Sequence, residues 1–350
     1  MDLGKKVITG AGFIATVFDE RQTIIPFIES LLKQGCLPSE SVIVDGGSTD
    51  GTFEIIKDYL EDVLGKGKSI EKRDGYIVYE KKAPGGTICF KLVKSKGANI
   101  SQGRNIAIGE NSRDMICVSD AGCILDKDWL YEVSKKVLDK TYEVAGGITL
   151  AICGSILERA LACCVIRKNA EIDIRSFMPS SRNVCFKKKV YEEAGRYPED
   201  MDYGEDMRFD FNIRKNKTVI GLIPEAKVYW RMRKDLLSIY KQFFRYAKGD
   251  AIGGMYPLRH AIRFSSFVLL IGLILLCVFI SPYFLFGLLP LAIFYLYKPA
   301  SRNSFIHRMC PAAKKAPSIL AVFFVLLFLV PYIDMAKASG YIYGLLSRKN

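Results

Sequence analysis

The chain has 350 residues, 50% of them hydrophobic, and a formal net charge of +13, which fits one soluble domain followed by a second region. No recognition-helix or zinc-finger pattern accompanies the positive charge, so we expect no nucleic-acid partner. Only two histidines occur, His260 and His307, both close to the C-terminal apolar segments, which excludes histidine-based catalysis from the N-terminal part.

The first 150 residues alternate strand-like and helix-like segments. We expect no signal peptide, because residues 1–6 run directly into a β-prone segment. The pattern predicts strands at 12–18, 41–44, 76–79 and 115–119, and helices at 23–34, 52–60 and 101–109. Such alternation is typical of an α/β domain with a Rossmann-like, mostly parallel sheet.

Carboxylates follow two of these predicted strands. Asp45 precedes Gly46-Gly47, a pair that lets the backbone turn sharply beside a ligand, although a plain capped strand–helix turn explains this segment equally well. Asp120 follows the strand 115–119. Ligands bind at the carboxyl ends of such strands, and a carboxylate there suits a hydrated cation carrying a diphosphate. An Asp-x-Asp pair would have its second carboxylate at position 122, where this chain has Gly122.

A further pair of carboxylates, Glu205-Asp206, follows Gly204 and precedes the helical pattern of residues 207–214. Acidic residues in a first helical turn ordinarily interact with the helix dipole, and that interpretation is preferred for this segment taken alone. The other interpretation is a carboxylate that removes a proton from a substrate.

From residue 264 onward the sequence is dominated by three apolar segments, 264–281, 283–297 and 318–345. A spanning helix needs roughly 20 apolar residues. The first two segments therefore predict a transmembrane hairpin that turns at Ser281-Pro282, and whether the third segment spans stays open. A buried hairpin in a soluble core is the alternative, disfavoured because charge is absent over so long a stretch.

The segment 236–263 predicts an amphipathic interfacial helix, whose apolar stripe is Ile239, Phe243, Phe244 and Ala247. Basic residues flank the hairpin on both sides: Arg231, Arg233, Lys234, Lys241, Arg245, Lys248, Arg259 and Arg263 before it, and Lys298, Arg302, Arg308, Lys314 and Lys315 after it. Both flanks should therefore face the cytoplasm and anionic headgroups. We expect a multi-pass protein of the cell membrane, in contact with the lipid bilayer, with a cytoplasmic N-terminal domain.

Five short motifs, in this order, resemble the family 2 inverting glycosyltransferases of GT-A fold. They are Ala15-Thr16-Val17-Phe18-Asp19-Glu20, the segment 42–52, Gly103-Arg104-Asn105, Ser119-Asp120-Ala121-Gly122 and Gly204-Glu205-Asp206. The resemblance covers roughly residues 7–250. It implies a GT-A nucleotide-sugar domain at 1–235, followed by the interfacial segment 236–263 and a membrane region at 264–350.

The resemblance also assigns roles to individual residues. It places six of them on the donor side: Thr16, Asp19, Glu20, Asp45, Arg104 and Asp120. Asp120 is the implied ligand of a divalent cation, Mn²⁺ or Mg²⁺, and Asp206, with Glu205 beside it, is the implied general base. Four residues are candidates for the acceptor or phosphate side: Ser181, Arg182, Asn183 and Arg245. A structural loop explains 181–183 about as well, and an interfacial helix explains Arg245 equally well.

The chain departs from the family pattern at two positions. Gly46 stands where a second Asp is frequent, which removes a carboxylate that contacts the base and leaves a UDP- or a GDP-linked donor open. Gly122 replaces a common metal ligand. A cation would then rely on Asp120, the diphosphate and water, and metal dependence stays open.

The leading interpretation is a membrane-anchored, hexosyltransferase-type glycosyltransferase of the cell envelope. Its acceptor would be a hydroxyl or phosphate, polyprenyl-linked, on a lipid or glycan. Two alternatives remain. A processive polysaccharide synthase usually needs more spans than this chain has. A donor-binding pseudoenzyme or membrane scaffold is suggested by Gly122 and opposed by the retention of Asp120, Glu205 and Asp206.

Overall fold

The computed structural model of the protein describes residues 5–69, 75–309 and 319–348. The chain forms two compact units. The first comprises residues 1–150 and 172–230, and the second comprises residues 151–171 and 231–350. The segment 151–171 thus groups with the C-terminal part of the chain.

The first unit is built on a mixed sheet, in which ten strands of the described residues take part. In chain order they are β1 (Lys6–Val17), β2 (Cys36–Asp45), β3 (Lys68–Ser69), β4 (Tyr76–Ala83), β5 (Gly86–Lys94), β6 (Met115–Val118), β7 (Cys123–Leu125), β8 (Val144–Ile152), β9 (Val184–Lys187) and β10 (Ile220–Arg231). Their spatial order is β3-β4-β5-β2-β1-β6-β9-β8-β10-β7. The central strands β5, β2, β1 and β6 are parallel, and antiparallel strands flank them on both sides. The predicted α/β domain is confirmed, and its parallel part is the centre of the sheet.

The helices alternate with the strands and then continue alone at the C-terminal end. They are α1 (Ile24–Leu32), α2 (Thr52–Leu64), α3 (Ile100–Glu110), α4 (Trp129–Leu138), α5 (Ile156–Val165), α6 (Lys188–Glu193), α7 (Glu205–Lys215), α8 (Leu236–Ile252), α9 (Pro257–Phe279), α10 (Leu288–Met309) and α11 (Ile319–Ser347). Of these, α5 and α8–α11 lie in the second unit.

Both faces of the central sheet are covered. Phe13 and Ala15 of β1 pack into one apolar core, whereas Ile14 between them packs into another, because successive side chains of a strand point to opposite faces. Strands buried on both faces are continuous apolar runs rather than alternating ones. This explains why 42–44 and 115–118 are so uniformly apolar.

In the second unit, three helical segments of the described residues are long and apolar enough to cross a membrane: Pro257–Phe279, Pro282–Met309 and Ile319–Ser347. The break between the first two lies at Ile280 and Ser281, and a short 3₁₀ helix, Pro282–Gly287, leads into α10. Helix α10 continues through Pro299 into the polar stretch that follows the second apolar segment. The remainder of that stretch, 310–317, lies outside the described residues.

The apolar helices differ in what surrounds them. On α9, Val268 and Phe279 are 70% and 79% exposed. A large exposed apolar surface of this kind is unfavourable in water. On α11, by contrast, Gly340 packs against the backbone of Phe244 in α8. Exposed apolar helices of this length indicate association with a membrane.

Several charged side chains in the second unit are paired with one another. Asp250 accepts a hydrogen bond from Arg259 at 2.6 Å and contacts the Nε2 of His260 at 2.9 Å. Arg263 of α9 forms an ion pair with Asp334 of α11 at 2.8 Å. Ionisable groups in apolar helices are stable when paired in this way, so this network connects α8, α9 and α11.

Candidate active site

The candidate site lies where three parallel strands end. In the register of the sheet, Val17 of β1 is paired with Asp45 of β2, and Ile14 of β1 is paired with Val118 of β6. The carboxyl ends of parallel neighbours meet at one edge of a sheet. The loop after β1, the loop after β2 and Asp120 therefore share that edge.

The loops after β1 and β2 are tied together by hydrogen bonds. The backbone N–H of Asp19 donates to the hydroxyl of Ser48 at 2.9 Å, and the N–H of Thr49 donates to the Asp19 carboxylate at 2.8 Å. The N–H of Glu20 donates to the hydroxyl of Thr52 at 3.0 Å. These bonds hold the predicted donor residues Asp19 and Glu20 beside the loop that Asp45 begins.

Asp45 is fully buried, and only one of its two carboxylate oxygens has hydrogen-bond partners among the described residues. Its Oδ1 accepts the backbone N–H groups of Gly47 and Ser48, each at 2.7 Å, in a turn where Gly47 adopts a φ of 99° that favours glycine. Its Oδ2 has no hydrogen-bond partner among the described residues. A buried acceptor without a donor is unfavourable, so this oxygen is available to a ligand donor at the strand tip.

Arg104 of α3 connects two carboxylates that are distant in sequence. Its guanidinium donates to Asp120 at 2.9 Å and to Glu205 at 2.6 Å, and its side chain is only 3% exposed. Burial lowers the pKa of Arg104, but the carboxylates of Asp120 and Glu205 raise it by more, and the net shift is upward. Gly103 brings α3 against Thr16, whose methyl group would lie 2.8 Å from a Cβ at position 103.

The first turn of α7 presents a group of carboxyls. Burial and the neighbouring Asp206 raise the pKa of Glu205 to about 7, although the Arg104 guanidinium opposes the shift. Burial and Asp206 also raise the pKa of Asp210 well above its ordinary value. Asp206 itself is half-buried, and its Oδ1 accepts the N–H of Met207 at 2.8 Å. Of these three carboxyls, only Asp206 is therefore partly accessible to a substrate.

A second arginine faces Asp120 from the opposite side. The Nε of Arg182 lies 3.7 Å from the Asp120 Oδ2, and its side chain is 19% exposed. The guanidinium stacks on the ring of Trp230 at 4.1 Å. The hydroxyl of Ser119 donates to the Arg182 backbone carbonyl at 2.8 Å, which fixes Arg182 beside the strand tip.

Other predicted site residues have different surroundings. The hydroxyl of Ser181 is buried and lies 2.9 Å from that of Tyr197. Asn183 accepts a hydrogen bond from the indole of Trp129 at 2.8 Å and donates to two backbone carbonyls at 2.9 Å each. These three hydrogen bonds connect the Asn183 amide to α4, β8 and β10. Arg245 is exposed on α8 of the second unit.

Sequence reasoning missed two aromatic residues of the site, Tyr197 and Trp230. The Arg104 guanidinium lies 5.1 Å from the centre of the Tyr197 ring, and Arg182 stacks on Trp230. The only signal for Trp230 was rarity, because the chain contains two tryptophans. Tyr197 gave none, since it is one of 18 tyrosines in the chain.

The side chains around Asp120 fit a tightly held divalent cation poorly. Both oxygens of Asp120 face guanidinium groups, and a cation such as Mn²⁺ needs several oxygen ligands. Among the described residues, a Cβ at Gly122 would have only the Glu20 carboxylate within 4 Å, at 3.9 Å. Within 5–69, 75–309 and 319–348, no three His, Cys, Asp or Glu side chains form a group that could hold a metal ion.

Comparison with known families decides the class of protein. Residues 13–195, more than half of the chain, match the family described as Glycosyl transferase family 2. The chain belongs to this family. The resemblance found in the motifs is thereby confirmed, and this glycosyltransferase has an α/β catalytic domain of GT-A type. Comparison with curated proteins gives no match.

Two solved structures are similar to the chain. One is the mannosyltransferase PcManGT from Pyrobaculum calidifontis in complex with GDP-Man and Mn²⁺, with 15% identity, a TM-score of 0.51, and coverage of 96% of this chain and 86% of that one. Another is residues 1–349 of TarS from S. aureus in complex with UDP, with 14% identity, a TM-score of 0.47, and coverage of 97% and 91%. At such identities the likeness to PcManGT shows the fold alone.

Proposed function

We propose that this glycosyltransferase is anchored in the cell membrane and transfers a sugar, with inversion, from a nucleoside diphosphate donor to a polyprenyl-linked hydroxyl or phosphate. The observation that carries the proposal is the bridge made by Arg104, which joins Asp120 at the strand tips to Glu205, the neighbour of Asp206. One buried side chain thereby links the edge of the sheet where the donor is predicted to bind to the predicted general base.

The donor nucleotide would bind at the tips of β1 and β2. The Oδ2 of Asp45 is buried and has no partner among the described residues, so an N–H or hydroxyl of the base or ribose would satisfy it. The neighbouring strand β1 contributes Thr16 near its end, and the loop after it contributes Asp19 and Glu20. Complexes of the similar structures hold GDP-Man and UDP, which supports testing guanosine and uridine donors first.

The proposed reaction is a single displacement. A hydroxyl acceptor attacks the anomeric carbon through its oxygen and gives its proton to the Asp206 carboxylate, while the bond from that carbon to the diphosphate oxygen breaks and its electron pair stays with the nucleoside diphosphate. An ionised phosphate acceptor would attack in the same way with no proton to transfer. Asp206 is suited to this role because it is partly exposed, whereas Glu205 and Asp210 are buried. No covalent enzyme intermediate is required.

The membrane region supports a lipid-linked acceptor. The second unit carries three segments that are long and apolar enough to cross a membrane, and its helix α8 is amphipathic, with Ile239 and Phe243 buried and Lys241 and Arg245 exposed. An enzyme held at a bilayer meets acceptors that are dissolved in it, and basic residues attract their phosphate groups.

A transfer assay tests the proposal. Membranes containing the full chain are given labelled UDP- and GDP-sugars with polyprenyl phosphate or a polyprenyl-linked sugar, alongside membranes with Asp206→Asn. We expect a lipid-extractable labelled product with one donor, and its loss in the variant. A long polymer would instead indicate a processive synthase, and donor binding without transfer in any pairing would indicate a pseudoenzyme.

A further inference from the structure

We propose that Arg182, and not a divalent cation held by the protein, supplies the positive charge that stabilises the diphosphate of the donor. This inference rests on the proposed function and concerns the same site. Transfer of the sugar leaves an additional negative charge on the nucleoside diphosphate, and a positive group must lie beside it. A bound cation and an arginine are two ways to meet that requirement.

The first argument is the state of Asp120. Its Oδ1 accepts a hydrogen bond from Arg104 and its Oδ2 faces Arg182. A metal ion that used this carboxylate would have to displace a guanidinium and would lie close to two positive charges. Both effects oppose its binding. Asp120 is thus better placed to orient the arginines than to hold a cation.

The second argument is the absence of a second carboxylate at the usual position. Gly122 contributes no side chain, and the nearest described group to that space is the Oε1 of Glu20, 3.9 Å from a Cβ at position 122, while the Oε2 of the same carboxylate accepts the hydroxyl of Thr23. A single carboxylate leaves most of a cation's ligand positions to water and substrate. The site therefore lacks the donor set that a resident metal requires.

The third argument separates the roles of the two arginines. Arg104 is 3% exposed and donates hydrogen bonds to Asp120 and Glu205, so its guanidinium is held within the protein. Arg182 is 19% exposed. Its guanidinium lies over the ring of Trp230, and its backbone carbonyl accepts the hydroxyl of Ser119. An arginine fixed in this way presents donors in the geometry that a phosphate accepts.

In the proposed step, the guanidinium of Arg182 donates hydrogen bonds to the diphosphate oxygens as the anomeric carbon–oxygen bond breaks. The electron pair of that bond stays on the departing oxygen, and Arg182 keeps its proton throughout. Asp120 acts as a positioning residue, because it holds both guanidinium groups without contacting the sugar.

Binding of UDP and GDP to the purified full-length enzyme in detergent tests the inference, with isothermal titration calorimetry in EDTA and in Mn²⁺. We expect one of the nucleotides to bind with similar affinity in both conditions. Arg182→Ala should weaken that binding about 10- to 100-fold, because charge-assisted hydrogen bonds are lost. Arg182→Lys should lie in between, since it keeps the charge but not the planar fork.

Arg175→Ala is the matched control, because Arg175 is an exposed arginine of the same unit, and we expect wild-type binding from it. Thermal unfolding of each variant shows whether it is folded. The inference is overturned if EDTA abolishes binding, Mn²⁺ restores it and Arg182→Ala then binds like the wild type. That result would leave the transfer reaction intact, whereas failure of the proposed function would appear as no transfer from any donor.

Discussion

Glu205, which accepts a hydrogen bond from Arg104, affects how the stability of the protein depends on pH. Glu205 is buried beside Asp206, and burial together with that neighbour raises its pKa from 4.5 to about 7. Between these two values the folded protein keeps a proton that the unfolded chain has released. Stability contributed by this group is therefore present at low pH and is lost as the pH rises toward 7.

We expect Glu205→Gln to remove this pH dependence, because the amide has the same shape and does not titrate. The thermal unfolding midpoint of the wild type, relative to that of the variant, should fall as the pH is raised from about 4.5 to about 7. Asp62→Asn, at an exposed position of α2, should follow the wild type. A constant difference between wild type and Glu205→Gln across this range would contradict the shifted pKa.

Asn183 shows the limit of assigning roles by motif. The sequence makes it an acceptor-side candidate, whereas its amide is occupied by Trp129 and two backbone carbonyls. Asn183→Ala should therefore lower stability by about 1–3 kcal/mol for each buried group left unpaired. The KM for the acceptor should not change in the protein that remains folded.

The control for Asn183→Ala is Asn216→Ala, which removes one exposed hydrogen bond to the Glu193 carbonyl and should cost far less stability. Denaturant unfolding measures the first effect and initial rates measure the second. A raised acceptor KM with unchanged stability would instead indicate that Asn183 contacts the acceptor.

At the scale of the site, sequence reasoning predicted the residues that stand at strand tips and helix starts. Asp45, Asp120 and Asp206 follow from that pattern because such positions are recognisable in the sequence. The bridge through Arg104 could not be predicted, since Glu205 lies 101 residues away and nothing local indicates the pairing. The partners of Asn183 were missed for the same reason.

Secondary-structure elements with a clear local sequence pattern were predicted, whereas an element that depends on pairing with distant strands was not. Strands β1, β2 and β6 and helices α1 to α3 were predicted, because uniformly apolar runs and helical spacing identify them. Strand β5 was not: Gly86–Lys94 carries a lysine among its apolar residues and begins with glycine. It is a strand because it pairs with β4 on one side and β2 on the other, a tertiary cause.

Helices α8 and α11 approach closely through small residues. A Cβ at Gly340 would lie 2.1 Å from the backbone oxygen of Phe244, and one at Gly344 would lie 2.7 Å from that of Lys248. The four-residue spacing places both glycines on one face of α11. Small residues with this spacing let helices in membranes pack backbone to backbone.

We expect Gly340→Ala to destabilise this contact by about 1–3 kcal/mol, since the methyl group meets backbone rather than a side chain that can move. The thermal unfolding midpoint in detergent should fall. Gly272→Ala in α9 is the matched control, because a Cβ there meets nothing within 4 Å in the part of the chain that the structure describes, and its midpoint should stay the same or rise slightly. Equal behaviour of the two variants would contradict the close packing.

For the whole molecule, the basic flanks and the apolar helices together predict an orientation. If α9 and α10 form a spanning hairpin with cytoplasmic flanks, the short 3₁₀ helix Pro282–Gly287 lies on the outer side of the membrane. Tyr283 at this tip is 79% exposed, so an inserted segment should be tolerated there.

An epitope tag inserted between Ser281 and Pro282 tests that orientation. Antibody should label it in intact cells, whereas a tag at the N-terminus should be labelled only after the membrane is permeabilised. Labelling of both tags only after permeabilisation would show that the hairpin does not cross the membrane.

The central claim is that Asp206 removes the proton of the acceptor hydroxyl, whereas other residues bind the nucleotide donor. The most direct measurement is the initial rate of sugar transfer by Asp206→Asn, with nucleoside diphosphate binding measured on the same preparation and Asp62→Asn as control. We predict that the rate falls about 10²- to 10⁴-fold while nucleotide affinity is nearly unchanged. Transfer at close to the wild-type rate by Asp206→Asn would contradict the account.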